Sequence, residues 1–145
     1  MLVDIKFRSL TGHRYRVYVL HDPALSMTGN DDTGATHSGA LVATDGTNSD
    51  AVLASSGFSK ISSGYQGQSD GWTDLASDHQ MDWTYIASQP GNVVQTGQTV
   101  LTGLAGGQRL TLAIGFAATT SAAVSMARAS LASRFAAIQR AYAAG

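Results

Sequence analysis

Apolar and polar residues alternate from the first residues on: Val3, Ile5 and Phe7 against Asp4, Lys6 and Arg8, then Tyr15, Val17 and Val19 against Arg14, Arg16 and Tyr18. A period of two marks a half-buried strand. Thr11-Gly12-His13 is a short glycine-containing link, so the two runs predict an antiparallel hairpin with a cationic outer face. Asp22-Pro23 ends the second run, because proline lacks an N–H and restricts the residue before it. Across residues 26–39 the alternation disappears, with Ala35 the sole apolar residue after Met27, which predicts a long surface loop.

Short strands are expected at residues 40–44, 51–55 and 58–62, separated by Asp45-Gly46-Thr47-Asn48 and by Gly57. Residues 92–100 form another, interrupted at Gly97. After the turn at Gly106-Gly107, Leu110, Leu112, Ile114 and Phe116 alternate with Arg109, Thr111, Ala113 and Gly115. The second set is small enough for something to lie close over it. Regular turn signals between short strands predict an all-β fold, an antiparallel β-sandwich. From Ser121 the period changes: Val124, Ala127, Leu131, Phe135, Ile138 and Tyr142 recur at three- and four-residue spacing, with Arg128, Arg134 and Arg140 on other faces. That is one C-terminal amphipathic α-helix, capped by Thr120 or Ser121, with Gly145 at the chain end. The chain divides into a sandwich, residues 1–118, and a helix, residues 119–145.

Residues 64–85 hold both tryptophans and four of the ten aspartates. Asp70, Asp74, Asp78 and Asp82 are spaced by four, so a helix would stack like charges on one face. The stretch is therefore expected to be turns, with Ser69-Asp70-Gly71 and Ser77-Asp78 as turn chemistry. A strand over residues 81–86 follows, with Met81, Trp83 and Tyr85 on one face.

Composition removes several function classes. A length of 145 residues suits one domain with its own core. Net charge is −1 and charged residues make up 13%, which leaves no electrostatic footprint for nucleic acid. There is no cysteine, hence no thiolate metal site, and compartment is left open. Neither a signal peptide nor a membrane span is visible, and Met1 directly against a strand suggests a cut inside a longer protein.

Three constellations could carry chemistry. Gly67-Gln68-Ser69-Asp70-Gly71 matches a nucleophile elbow but lacks the strand-to-helix context of a parallel sheet, and His79 is the only histidine after Ser69. Asn30-Asp31-Asp32 with His37 lacks the alternating acids of a calcium loop, so no metal and no cofactor are expected. Trp72, Trp83, Tyr65 and Tyr85 could stack on sugar rings. Alternation places Trp83 and Tyr85 in the core, whereas Trp72 sits in a turn. Trp72 with Tyr65, Asp70 and Asp74 is therefore the candidate saccharide site, set against a capping role for the two aspartates.

Residues 64–85, together with YVLHDPAL at 18–25, GNVVQTG at 91–97 and LTLAIGF at 110–116, resemble the N-terminal β-sandwich domain of bacterial glucoamylases and glucodextranases of glycoside hydrolase family 15. The resemblance implies part of a larger super-β-sandwich followed by the helical linker to a catalytic α/α barrel. Catalysis in that family uses two glutamates, and this chain has none, so the resemblance implies a non-catalytic accessory segment whose partner is the barrel. The alternative is a stand-alone binding module for α-glucans. An apolar helix stripe with no barrel to cover it, and an N-terminal strand lacking a neighbour, predict a homo-oligomer.

Overall fold

The computed structural model describes residues 1–13, 15–102, 107–133 and 135–144. Arg14, Gly106, Arg134 and Gly145, used in the sequence reading, lie outside the described residues. Eight strands form two antiparallel sheets among them: β1 (Leu2–Phe7), β2 (Arg16–His21), β3 (Thr33–His37), β4 (Ala40–Thr44), β5 (Ser49–Ala54), β6 (Phe58–Tyr65), β7 (Val93–Thr102) and β8 (Gln108–Ala117). The five-stranded sheet has the order β1-β8-β5-β4-β3 and the three-stranded sheet the order β2-β7-β6. The sandwich is as expected. The N-terminal hairpin is not: β1 pairs with β8, from Leu2↔Ala113 to Phe7↔Gln108, and β2 pairs with β7 in the other sheet. Alternation declares which face a strand buries but names no partner, and the link between these strands is too long to dictate a turn register.

The larger sheet is covered on both sides, which is why all of β5 is buried. One face, with Ala40, Val42, Ala51, Leu53 and Ala113, packs against helix α2 (Thr120–Ala132) through Ala123, Val124 and Ala127. The small face expected on β8 permits this. A Cβ on Gly115 would stand 2.1 Å from the Ala123 carbonyl oxygen, so only glycine lets the helix backbone come so near. The opposite face carries Leu41, Ala43 and Val52, with β3 and β4 lying against β6 and β7. Polar side chains also tie the sheets together. Gln95 is fully buried, its Nε2 within 3.1 Å of the Ala35 carbonyl oxygen, 3.0 Å of that of Val42 and 2.8 Å of Ser63 Oγ. His21 Nε2 lies 2.7 Å from Asp50 Oδ2.

Three α-helices, not one, accompany the strands among the described residues. The C-terminal helix is two: α2 ends at Ala132 with Ser133 as its C-cap, and a third helix, Phe135–Ala143, follows. The Ser133 hydroxyl donates to the Ala129 carbonyl at 2.8 Å and its N–H reaches the same oxygen at 3.1 Å, closing the last turn of α2. The N-cap is Thr119, whose side chain accepts from the Ala122 N–H. Val124 and Leu131 thus cover the protein's own sheet.

The remaining helix, α1 (Gly71–Asp78), falls where turns were expected. The like-charge argument fails because Asp70 is the N-cap and Asp82 lies beyond the C-terminus, leaving a single i,i+4 acidic pair, with Asp74 in the first turn where the dipole favours it. The Phe135–Ala143 helix is α3 in chain order. Residues 81–86 are not a strand. The Tyr85 carbonyl accepts from Ser63 N–H at 2.8 Å on the free edge of β6, while Ala87 and Gly91 bridge to the free edge of β3. The segment thus closes one open side of the sandwich with irregular backbone. Residues 26–39 include β3, with Gly34 and Asp32 buried, rather than a solvated loop. The strand over 92–100 is not broken at Gly97, which runs through β7 beneath the Phe58 ring.

Candidate functional site

The outer face of the three-stranded sheet is where the aromatic candidate lies. Asp70 caps α1: its Oδ1 accepts from Thr73 N–H at 2.9 Å, Oδ2 from the Thr73 hydroxyl at 3.2 Å, and Gly67 N–H also donates to Oδ2. The Tyr65 carbonyl oxygen accepts from the N–H groups of Gln68, Ser69 and Asp70, folding the turn that leads from β6 into the helix. Gly71 then rests on β7, because a Cβ there would come 2.2 Å from Thr96 Oγ1. The helix start is pressed onto the sheet, and the next side chain, Trp72, projects beside it 68% exposed.

A cleft of about 420 Å³ opens at this point, lined by Leu20, His21, Asp22, Gln66, Gly67, Asp70, Trp72 and Val94. Its floor is apolar, with Val94 buried and Leu20 half in solvent. Its rim is polar: Asp22 is exposed, and the Gln66 Oε1 accepts from Asn92 Nδ2. The His21 ring is held by Asp50 rather than offered to the cleft.

The four candidate residues do not converge. Trp72 and Asp70 line the cleft, but both carboxylate oxygens of Asp70 serve the backbone cap. Asp74 is buried, and its Oδ2 accepts from the N–H groups of Asp82 and Trp83, each at 2.8 Å. Tyr65 turns away: its hydroxyl accepts from Gln89 N–H at 2.9 Å and sits 3.2 Å from the Gln89 carbonyl oxygen. Trp83 pairs with Tyr85, ring centroids 6.4 Å apart, and Tyr85 is partly exposed rather than core. Leu20, Gln66, Asp22 and Val94 went unseen because they come from separate strands and a turn. Alternation places Leu20 and Val94 on a face of their strands, but only sheet order makes them neighbours.

The other constellations resolve into structure. Ser69 Oγ accepts from Tyr65 N–H at 3.0 Å, and His79 is the left-handed C-cap of α1. Asp31 accepts from the Thr28 hydroxyl at 2.7 Å and Asp32 from Leu25 N–H at 3.1 Å. Among the described residues no group of three His, Cys, Asp or Glu side chains has metal-holding geometry. Burial pushes the Asp32 carboxyl above the usual carboxylate range, partly offset by that Leu25 bond. Asp45 is pulled down to about 2 by hydrogen bonds from Asn48, Ser26 and Thr47.

The family model described as "Glucodextranase, domain N" matches residues 1–145. Among solved structures, a bacterial glucoamylase crystallised with acarbose is similar in fold: TM-score 0.83 at 21% identity, over 97% of this chain and 21% of that one. The chain thus spans about a fifth of the glucoamylase it matches. No curated protein matches the sequence.

Proposed function

The chain belongs to the glucodextranase domain N family, and from that membership we propose that it is a non-catalytic accessory domain of an α-glucan-hydrolysing enzyme, bracing a catalytic α/α barrel. In this reading residues 1–118 are the brace and residues 119–145 the linker. The observation that carries it is the state of α3. Phe135, Ile138 and Tyr142 recur along it, yet the helix has no buried residue, with Tyr142 90% exposed. An amphipathic helix without a covered face suits a second body docked on it. Beside it runs a groove of about 620 Å³, lined by Asp4, Arg109, Thr111, Leu131 and Phe135 among others. The two glutamates that family 15 catalysis uses have no counterpart here, since the chain contains no glutamate.

The test has two arms. The purified chain should release no glucose from starch, maltooligosaccharides or dextran above a buffer blank. Turnover that survives repurification and is abolished by Asp70→Asn would overturn the accessory role. A barrel domain from the same source, expressed separately, should gain thermal stability when the chain is added. No gain would remove the bracing role.

Without a barrel, the surface around α3 and the open edge of β1 is free to pair with a second copy. Light scattering should then give a mass above 15.0 kDa, reduced by Phe135→Asp; a constant monomer would exclude self-association. Val124 and Leu131, expected in that contact, are occupied by the protein's own sheet.

A further inference from the structure

We propose that the cleft between β2 and α1 is a subsite for an α-glucan chain, with the Trp72 indole as its stacking face; this rests on the reading that the parent enzyme acts on α-glucans. The backbone that carries the indole is held in place. The Asp70 cap, the Thr73 bonds and the contact of Gly71 with Thr96 fix the first turn of α1 on β7, so the backbone at Trp72 is set before any ligand arrives. Such preorganisation lowers the entropic cost of binding.

The lining suits a pyranose ring. Its apolar part is Trp72 with Leu20 and Val94, and its polar part is Gln66, Asp22 and Gly67. A sugar presents the same two aspects, an apolar face of C–H groups and a rim of hydroxyls, and aromatic side chains pack on the first while amide and carboxylate groups bond the second. Charge narrows the ligand further. The lining residues include two aspartates and no lysine or arginine, and His21 is engaged with Asp50. Phosphorylated and other anionic ligands are disfavoured, and a neutral polyol is favoured.

Shape separates α- from β-linked chains. A flat β-linked chain is matched by a row of coplanar aromatics, but here one indole stands alone, since Tyr65 is turned onto Gln89 and Trp83 is paired with Tyr85. A short cleft with one stacking face fits one or two rings of a curved chain.

The experiment is a titration of the full 145-residue chain, ¹⁵N-labelled, with maltoheptaose, followed by NMR. Both indole N–H resonances are read, so that of Trp83 serves as an internal control. The expected result is a saturable shift of the Trp72 indole and of the Gly67 and Leu20 amides, with a dissociation constant on the order of 1 mM. Trp72→Ala should weaken binding about tenfold or more, Trp72→Tyr should retain it within a few-fold, and Gln66→Ala should weaken it about threefold. Cellohexaose should produce no saturable shift. Absence of a saturable maltoheptaose shift overturns the subsite, as does binding that Trp72→Ala leaves intact. Equal binding of cellohexaose overturns the α-glucan assignment. The outcome is independent of the barrel: a chain that stabilises a barrel but ignores maltoheptaose loses the subsite alone, and one that binds maltoheptaose but stabilises no barrel loses the bracing role alone.

Discussion

At the scale of single residues, the aspartates divide by what their oxygens meet. Asp74 receives two backbone N–H groups from the segment that follows α1, and so pins an irregular stretch onto the helix. Asp74→Ala leaves both donors unpaired and should cost about 2–4 kcal/mol in urea unfolding, whereas Asp74→Asn keeps an acceptor and should cost about 1 kcal/mol. Asp32 behaves oppositely. Its folded pKa is raised by burial above the ordinary value of 3.8, and Oδ1 has no partner, so the carboxylate form is a liability. Its favourable contribution is present below pH 3.8 and is lost as pH rises through the folded value. Asp32→Asn should therefore melt higher than the parent at pH 7, with the advantage gone below pH 3.8. Asp45, with its pKa lowered to about 2, stabilises the fold above the ordinary carboxylate range and loses that effect as pH falls through about 2. A melting series in which Asp32→Asn gives no gain at neutral pH would refute the assignment. Capping residues could be read in the sequence as turn formers, but not which backbone they would serve.

At the scale of elements, the decisive contact is that of α2 with β8. The helix lies so close that Gly115 has no room for a side chain, and Ala113, Ala123 and Ala127 keep the same separation. Gly115→Ala forces the backbone of α2 away from the sheet and should cost about 2–3 kcal/mol, read from the urea midpoint. An unchanged midpoint would show that the helix shifts without loss. The small face of β8 was legible from Ala113 and Gly115 alone; that its occupant would be the chain's own next helix was not. The four-residue spacing of the aspartates conceals the helix at Gly71–Asp78, because Asp70 caps it and Asp82 lies past its end. An aspartate at the N-cap stabilises the helix that follows, whereas the same residue a turn further in would add a like charge to its face.

For the whole molecule, the layers run from α2 through the five-stranded sheet to the three-stranded sheet, with α1 on the outer face of the last and α3 uncovered. Stability should follow that order. Amide hydrogen exchange should show β5, β8 and α2 as the slowest group and α3 exchanging fast, because few of its contacts are buried. Protection of α3 equal to that of α2 in the isolated chain would mean that it is already covered, by a second copy or otherwise. The sequence by itself determined the strands with strict alternation, the small face of β8, the helical period from residue 121 on and the exposure of Trp72, because each depends on residues near one another in the chain. Tertiary structure alone decided that β1 and β2 part into different sheets, that residues 81–91 seal the open side between β6 and β3, and that Leu20, Gln66 and Val94 meet beside Trp72. A period of two or of three and a half tells which side of an element is buried and is silent about what buries it, since any apolar face of matching shape satisfies the same pattern. The partner is chosen by the packing of the complete chain, when all those faces must be covered together.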